Sequence, residues 1–293
     1  RPDGPDLERF AALAREHKPR LYLMNAAPHN PTGGARSPAI AHRLLQLAEA
    51  HGFRIVEDDV FAGFRRHPTP VLAPLDGLRR VIHLGSFSKT LSAGVRCGFI
   101  AADEATIDAL LDLKIATCFG SDLAAAQMVH RLIADGTQRK HAERIRRRLA
   151  SAMGQVGGKL QSLGLTYWQE PREGLFLWMR LPDGRDAAEI ARRALRHNIV
   201  LAPGNVFSPA QAWPDTLRFN APQSQHQRVF DSLLLRRVMQ HCASDVGAER
   251  CANPADAGQD RIDEIDLVCG QCKEDVADAA DNVGERAGHS RLY

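Results

Sequence analysis

The chain has 293 residues, of which 44% are hydrophobic, and it carries a formal net charge of +3. That length allows one large domain or two modest domains, each with its own core. No segment approaches the roughly 18 consecutive apolar residues of a membrane helix, and the first ten residues lack the apolar core of a signal peptide. We therefore expect a globular protein of the cytoplasm, without a membrane partner.

The first half of the chain alternates helical and strand-like patterns. Residues 7–17 predict a short helix, and Ser37 followed by Pro38 predicts the N-cap and first position of a helix that runs to about His51. Apolar runs predict strands at 20–24, 53–57, 81–85 and 98–102. Such an alternation favours an α/β fold with a mainly parallel sheet that helices cover on both faces.

From about Asp103 to Leu163 the pattern is mostly helical, and afterwards the texture changes. Further strands are predicted at 165–168, 174–181, 199–204 and 217–220. Helices are predicted over 186–197 and from the last strand to about Gln240. We predict a large domain at 1–145 and a smaller α+β domain at 146–240.

Residues 241–293 hold 5 basic and 12 acidic side chains, and they contain few large apolar residues. Such a segment cannot bury much surface, so we predict an acidic, disordered tail. The pair 269-CGQC-272 could form a zinc site with Cys242 and Cys251. The gap between Cys242 and Cys251 is too wide for a usual zinc knuckle, so we expect reduced thiols and no metal.

A basic segment, 139-RKHAERIRRRL-149, carries much of the positive charge. Nucleic-acid binding is one interpretation of such a run. Its charges are interleaved with apolar residues at helical spacing, however, which favours the solvated face of a helix.

Polar residues follow three of the predicted strands. Asn30 comes after the strand at 20–24, Asp58 after 53–57, and the segment 86-SFSK-89 after 81–85. In doubly wound sheets, ligands bind beyond the carboxyl ends of the strands, so we expect these side chains to meet in one crevice. Arg96 lies seven positions beyond Lys89 and could reach the same place.

These residue types point to one kind of ligand. Burial and the charge of Arg96 would favour the uncharged amine of Lys89, a nucleophile that forms Schiff bases. Ser86, Ser88 and Arg96 suit a phosphate, and Asp58 suits a protonated ring nitrogen. Each residue by itself is common at a surface or turn, but together they describe a site for pyridoxal phosphate.

Four motifs carry a family resemblance over about residues 1–240. The segments 28-PHNPTGG-34, 57-EDDVFAGF-64, 86-SFSKTLSAGVRCGF-99 and 217-LRFNAP-222 resemble the class I/II aminotransferases, which are pyridoxal-phosphate enzymes of fold type I. The domain most similar in detail is the aminotransferase-like domain of MocR-type regulators, which 57-EDDVF-61, 86-SFSKTL-91, 201-LAPGNVFSP-209 and 217-LRFN-220 resemble. In those regulators the domain follows a winged-helix DNA-binding domain of the GntR type.

The resemblance implies a role for each matching residue. Lys89 would form a Schiff base with the cofactor and move a proton during catalysis. Asp58 would bind the pyridinium nitrogen and Asn30 the ring oxygen. Asn30 and Arg218 would bind the substrate, with Arg218 on its carboxylate. The phosphate would be bound by Ser86, Ser88 and Arg96.

The sequence departs from the family pattern in two respects. Phe61 occupies the place of a tyrosine that usually donates to the ring oxygen. The resemblance also begins partway into the large domain, so the 1–145 region is expected to be an incomplete cofactor-binding domain. The segment that usually stacks an aromatic ring on the cofactor is missing from the match.

Three functions are compatible with these observations. The first is an aminotransferase that acts on an amino acid and a 2-oxo acid. The second is the effector-binding domain of a MocR/GntR-type regulator, which would contact DNA only through an upstream winged helix. The third is an inactive, truncated remnant. The resemblance also implies a homodimer for the intact protein.

Overall fold

The computed structural model describes residues 1–171, 173–196 and 198–225, which belong to one compact unit that begins at Arg1. Two four-stranded sheets lie within these residues. The predicted tail and its four cysteines lie outside the described residues, as does the last predicted helix beyond Gln225.

The first sheet contains four strands: β1 (Leu21–Asn25), β2 (Arg54–Asp58), β3 (Val81–Ser86) and β4 (Gly98–Ala101). Their spatial order is β1-β2-β3-β4, with β1, β2 and β3 parallel and β4 antiparallel to β3. The mainly parallel α/β sheet is therefore confirmed. Strands β1 and β2 each begin and end one residue later than predicted, so Asn25 and Asp58 are the last residues of their strands.

Three helices accompany this sheet: α1 (Leu7–His17), α2 (Pro38–His51) and α3 (Leu72–Asp76). Helix α2 begins as predicted, because Ser37 Oγ accepts a hydrogen bond from Ile40 N at 3.3 Å and Pro38 opens the first turn. Side chains from the helices and strands form one buried cluster, which includes Ala14, Met24, Ala41, Leu47, Phe53, Ile55, Leu72 and Val81.

The predicted helical region forms α4 (Glu104–Cys118), α5 (Leu123–Ala134) and α6 (Thr137–Ser162). The basic segment lies at the start of α6, where Ala142 and Leu149 are buried while Arg139 and Lys140 are exposed. This arrangement confirms a solvated helix face. Helix α6 runs through the predicted domain boundary at 145/146, and that boundary stays a prediction.

The second sheet contains β5 (Thr166–Tyr167), β6 (Phe176–Arg180), β7 (Ala202–Pro203) and β8 (Thr216–Asn220), in the order β5-β6-β8-β7. All neighbouring strands in it are antiparallel. Helix α7 (Ala187–Leu195) and the short α8 (Ala221–Ser224) complete the described elements. The predicted strand at 199–204 is too long. Pro203 has no N–H to donate, and a 3₁₀ turn follows at once from Gly204.

Every helix among the described residues is too short or too polar to cross a lipid bilayer.

Candidate functional site

The carboxyl ends of three parallel strands lie at the same edge of the first sheet. Asn25 ends β1, Asp58 ends β2 and Ser86 ends β3. Asn25 is in register with Asp58, which in turn is in register with Leu84. Polar side chains that are far apart in the sequence therefore come together where ligands bind in sheets of this kind.

Asp58 is half-buried and its carboxylate is held by two neutral donors. Asn25 Nδ2 donates to Oδ2 at 3.0 Å, and the backbone N–H of Val60 donates to Oδ1 at 3.2 Å. No basic side chain in the described part of the chain forms an ion pair with Asp58. The carboxylate is thus oriented while its charge is left available, which fits a cationic ring nitrogen.

Asp58 lies between two other acidic residues, and strand alternation separates their roles. Successive side chains of a strand point to opposite faces of the sheet, so Glu57 and Asp59 share the face away from Asp58. Both are buried, with 0% and 2% of their surfaces exposed. Only Asp58 of the three is available at the strand end.

Glu57 is part of a buried ionic network beneath the site. Its Oε1 accepts from Arg36 Nη2 at 2.8 Å, and its carboxylate also accepts from the backbone N–H groups of Leu72 and Ala73. Burial acts to raise the pKa of Glu57, but the hydrogen bond to His83, the Leu72 N–H and the charge of Arg36 lower that pKa below its ordinary value. The network therefore favours the ionised form of Glu57, and the hydrogen bonds of this carboxylate connect β2 to α3.

Asp59 extends this network on the same face. Its Oδ2 accepts from Arg65 Nη2 at 2.7 Å, and His83 Nε2 lies 3.8 Å away. Burial raises the pKa of Asp59, although the charge of Arg65 opposes that effect. These contacts hold Asp59 in place directly after the end of β2.

Arg218 and Asn30 join the two sheets at the site. Arg218 Nη1 donates to Asn30 Oδ1 at 2.9 Å, across 188 positions of sequence. The guanidinium lies over the rings of Phe176, at 4.6 Å, and Phe207, at 4.9 Å. Burial lowers the pKa of Arg218, and its buried Nε has no hydrogen-bond partner.

No carboxylate pairs with Arg218 among the residues that the structure describes. A half-buried guanidinium that keeps free N–H donors is suited to a planar carboxylate, which it can bind with two parallel hydrogen bonds. The arrangement of Arg218 is therefore what a carboxylate-binding residue requires.

Phe61 lies close to the same group. Its ring meets that of Phe176 edge-on at 5.7 Å and stacks on that of Phe64 at 6.0 Å. Phe176 thus contacts both Phe61 and the Arg218 guanidinium. The phenylalanine at this position offers an apolar surface where a tyrosine would offer a hydroxyl.

The segment after β3 carries the remaining predicted residues. Ser86 Oγ accepts from the backbone N–H of Ser88 at 3.1 Å, which folds the chain into a tight turn ahead of Lys89. Lys89 is exposed, so the burial that we expected for its amine is not present. Arg96 is also exposed and has a left-handed backbone with φ 46°. Neither of these two cations pairs with another side chain of the described residues.

The profile of the family described as aminotransferase class I and II matches residues 4–233. This chain belongs to that family. A 2-aminoadipate transaminase of Thermus thermophilus is 32% identical over 225 residues, which are 74% of this chain and 56% of that protein. The transcriptional regulator NorG of Staphylococcus aureus is 28% identical over 183 residues, which are 61% of this chain and 41% of the regulator.

Solved structures of aminotransferases share the fold. LysN, the α-aminoadipate aminotransferase from T. thermophilus in complex with N-(5'-phosphopyridoxyl)-L-leucine, has a TM-score of 0.73 at 29% identity and matches 83% of this chain and 64% of that one. A kynurenine aminotransferase from Pyrococcus horikoshii has a TM-score of 0.75 at 24% identity, covering 85% of this chain and 63% of that one. The predicted fold type I class is confirmed. The chain spans less than two thirds of the length of each of these proteins.

Membership in the aminotransferase family gives the described geometry its context. The structure brings together Asn30 and Arg218, and it places Asp58 and Ser86 at neighbouring strand ends. Within the described residues, no hydrogen bond or ion pair between side chains joins Lys89 or Arg96 to them. No group of three His, Cys, Asp or Glu side chains in the described part is arranged to hold a metal ion.

Sequence reasoning missed Asn25, the residue that contacts Asp58 directly. The signal was present, because Asn25 is a polar residue that ends the otherwise apolar run 21-LYLMN-25. Arg36 and His83 were also missed. Their roles depend on a buried partner on another strand, which no local pattern reveals.

Proposed function

We propose that this chain is the pyridoxal-phosphate-binding part of an aminotransferase that acts on an amino acid and a 2-oxo acid. The observation that carries the proposal is the hydrogen bond between Arg218 and Asn30. In this pair a guanidinium suited to carboxylates lies beside an amide whose NH₂ group has no partner among the described residues and would donate to the cofactor ring. When bound, pyridoxal phosphate supplies an aldehyde that condenses with amines and a ring that withdraws electrons from the substrate carbon.

Different residues would bind the cofactor and transfer the proton. Asp58 would pair with the ring nitrogen, and Asn30 would donate to the ring oxygen while it accepts from Arg218. Ser86, Ser88 and Arg96 would bind the phosphate through hydroxyl and guanidinium donors. Lys89 would hold the aldehyde carbon and then, as a free amine, move a proton at the substrate Cα. Phe61 would contact the ring without a hydrogen bond.

A labelling experiment tests the cofactor assignment. The protein is mixed with pyridoxal phosphate and reduced with borohydride, and the labelled peptide is identified by mass spectrometry. The label should be found on Lys89 and should be lost in Lys89→Ala. The matched control is Lys114→Ala, because Lys114 is an exposed lysine of α4 outside the site. Label that persists in Lys89→Ala would contradict the assignment.

Turnover decides between the enzyme and the second candidate, a sensor domain. The 28% identity to NorG supports the sensor as an alternative. An aminotransferase should convert bound cofactor to pyridoxamine phosphate and release a 2-oxo acid when an amino acid is added. A sensor domain should bind the amine with a change in absorbance but release no 2-oxo acid. A panel of amino acids, including 2-aminoadipate, would identify the donor.

We also propose a homodimer for the intact protein. The support is a group of exposed apolar side chains on α4 and α5 and the turn between them: Leu111, Leu113, Ile115, Phe119 and Leu123. No residue of α4 is buried in the described unit, although the helix is rich in leucine and isoleucine. Apolar patches of that kind mark interaction surfaces. Light scattering of the intact protein after gel filtration should give twice the mass of its single subunit, and Leu113→Glu should lower the measured mass.

A further inference from the structure

We propose that Asn25 is a positioning residue for Asp58 and that it thereby sets how strongly the chain binds the ring nitrogen of its cofactor. This inference rests on the proposed function, since it assigns pyridoxal phosphate to the site. It adds a residue that the family motifs do not include. The inference rests on the position of Asn25 and Asp58 at the ends of adjacent strands.

The geometry fixes the two residues against each other. Asn25 and Asp58 are the last residues of adjacent parallel strands and are paired in register. Their side chains meet at 3.0 Å between Nδ2 and Oδ2, and the backbone N–H of Ala26 donates to the carbonyl of Asp58 at 2.7 Å. The Asn25 amide therefore cannot shift along β1 without breaking the sheet at its end.

Arg36 holds the backbone of Asn25 through a hydrogen bond to its carbonyl. This arginine has 8% of its surface exposed. Its Nη1 donates to the carbonyl of Asn25 at 3.4 Å, and its Nη2 donates to Glu57 at 2.8 Å. One buried cation thus ties the last residue of β1 to the residue before Asp58 on β2.

The carboxylate of Asp58 is consequently held by one donor on each oxygen. The amide of Asn25 takes Oδ2, and the N–H of Val60 takes Oδ1 at 3.2 Å. A carboxylate has about four lone-pair sites, so further acceptor capacity remains. Because both donors are neutral, they orient the carboxylate without cancelling its charge.

This arrangement requires a neutral hydrogen-bond donor at residue 25. A cation there would compete with the ring nitrogen for Asp58, and an apolar side chain would leave Oδ2 without its donor. A neutral donor avoids both effects. Loss of the amide should therefore weaken binding of a cofactor that has a ring nitrogen more than binding of one that lacks it.

The test compares two ligands in one variant. Dissociation constants are measured by absorbance titration for pyridoxal phosphate and for its 1-deaza analogue, in which carbon replaces the ring nitrogen. Asn25→Leu keeps the size of the side chain and removes the donor. The constant for pyridoxal phosphate should rise about tenfold, which corresponds to ~1.4 kcal/mol. The constant for the analogue should change by less than about twofold, a factor that corresponds to ~0.4 kcal/mol.

A control separates positioning from general loss of stability. Ile55→Val removes a methyl group from the fully buried core of β2, three residues before Asp58. It should lower the melting temperature and leave the ratio of the two dissociation constants unchanged.

Three results would overturn the inference. The first is unchanged binding of pyridoxal phosphate in Asn25→Leu, the second is an equal loss for both ligands, and the third is the same selective loss in Ile55→Val. If the unaltered chain shows no saturable binding of pyridoxal phosphate, the proposed function fails and the inference fails with it. The two kinds of failure are therefore distinguishable.

Discussion

Arg218 on the second sheet donates a hydrogen bond to Asn30, which follows the first strand of the first sheet, at 2.9 Å. The guanidinium is held over two phenylalanine rings and has no carboxylate partner among the described residues. Under the proposed function, the pair would link the binding of a substrate carboxylate to the residue that would bind the cofactor ring oxygen.

Replacing Arg218 with methionine should abolish most of the reactivity toward α-amino acids. Two hydrogen bonds to a charged group contribute ~1.5–3 kcal/mol each, so the rate constant at low substrate should fall about a hundredfold or more. The rate is followed by the absorbance of the bound cofactor after addition of alanine. Ethylamine, which has no carboxylate, should react at an unchanged rate.

Arg180→Met is the matched control for that experiment. Arg180 lies on the neighbouring strand β6 with 48% of its side chain exposed, and its contact to Asp215 is 3.9 Å long. This substitution should alter neither rate. An equal loss of both reactions in Arg218→Met would mean that Arg218 acts on the fold and not on the carboxylate.

Phe61→Tyr should lower the apparent pKa of the nitrogen that joins Lys89 to the cofactor. A phenol at this position would donate to the ring oxygen and so favour its anionic form. That oxygen would then share less of the proton on the neighbouring nitrogen, and the proton would be lost at lower pH. A spectrophotometric titration of both proteins measures the shift. Phe99→Tyr, at a position with 48% of its surface exposed, should leave the titration unchanged.

His83 should make stability fall as the pH rises above the ordinary histidine pKa of about 6.5. The hydrogen bond to Glu57 raises the pKa of His83, although burial acts in the opposite direction and the carboxylate of Asp59 supports the rise. A group with a raised pKa stabilises the folded state below its unfolded pKa of about 6.5, and that contribution is lost as the pH rises through the folded pKa. The charge of Arg65, which lies in the same network, opposes protonation of His83.

Urea unfolding between pH values of about 5.5 and 8.5, on either side of the unfolded pKa, measures this dependence. The free energy of unfolding should fall with rising pH in the unaltered protein and should fall less in His83→Gln. His67→Gln is the control, because His67 is exposed outside the network. A slope that is the same in His83→Gln as in the unaltered protein would rule out His83 as its source.

Gly33→Ala should destabilise the turn that presents Asn30. Gly33 has φ +68°, and a Cβ there would lie 2.9 Å from the backbone oxygen of Phe176. We expect a loss of about 2–4 kcal/mol, of which ~1–2 kcal/mol arises from the left-handed backbone alone. Gly77 distinguishes the cost of the left-handed backbone from the cost of the close contact. It has φ +65° and nothing within 4 Å of its Cβ position. Gly77→Ala should cost only the backbone share, and equal losses at both sites would argue against the close contact.

Local chemistry accounts for what the sequence by itself determined. Ser37 and Pro38 start α2 because a hydroxyl acceptor and a fixed φ act on the adjacent turn. The apolar runs predicted the strands to within a residue or two for the first sheet, since side-chain periodicity depends on neighbours in sequence. The motifs around Asp58 and Lys89 identified the family for the same reason, because a contiguous segment carries each of them.

Only the tertiary structure decided which donors hold Asp58 and what becomes of the acidic residues on either side of it. Three successive carboxylates look alike in sequence, but pairing of β2 with β1 and β3 buries Glu57 and Asp59 and leaves Asp58 at the strand end. The bonds from Asn25 to Asp58 and from Arg218 to Asn30 span 33 and 188 positions. Such contacts depend on strand register and on the packing of two sheets, and these are properties of the whole chain and not of any one segment.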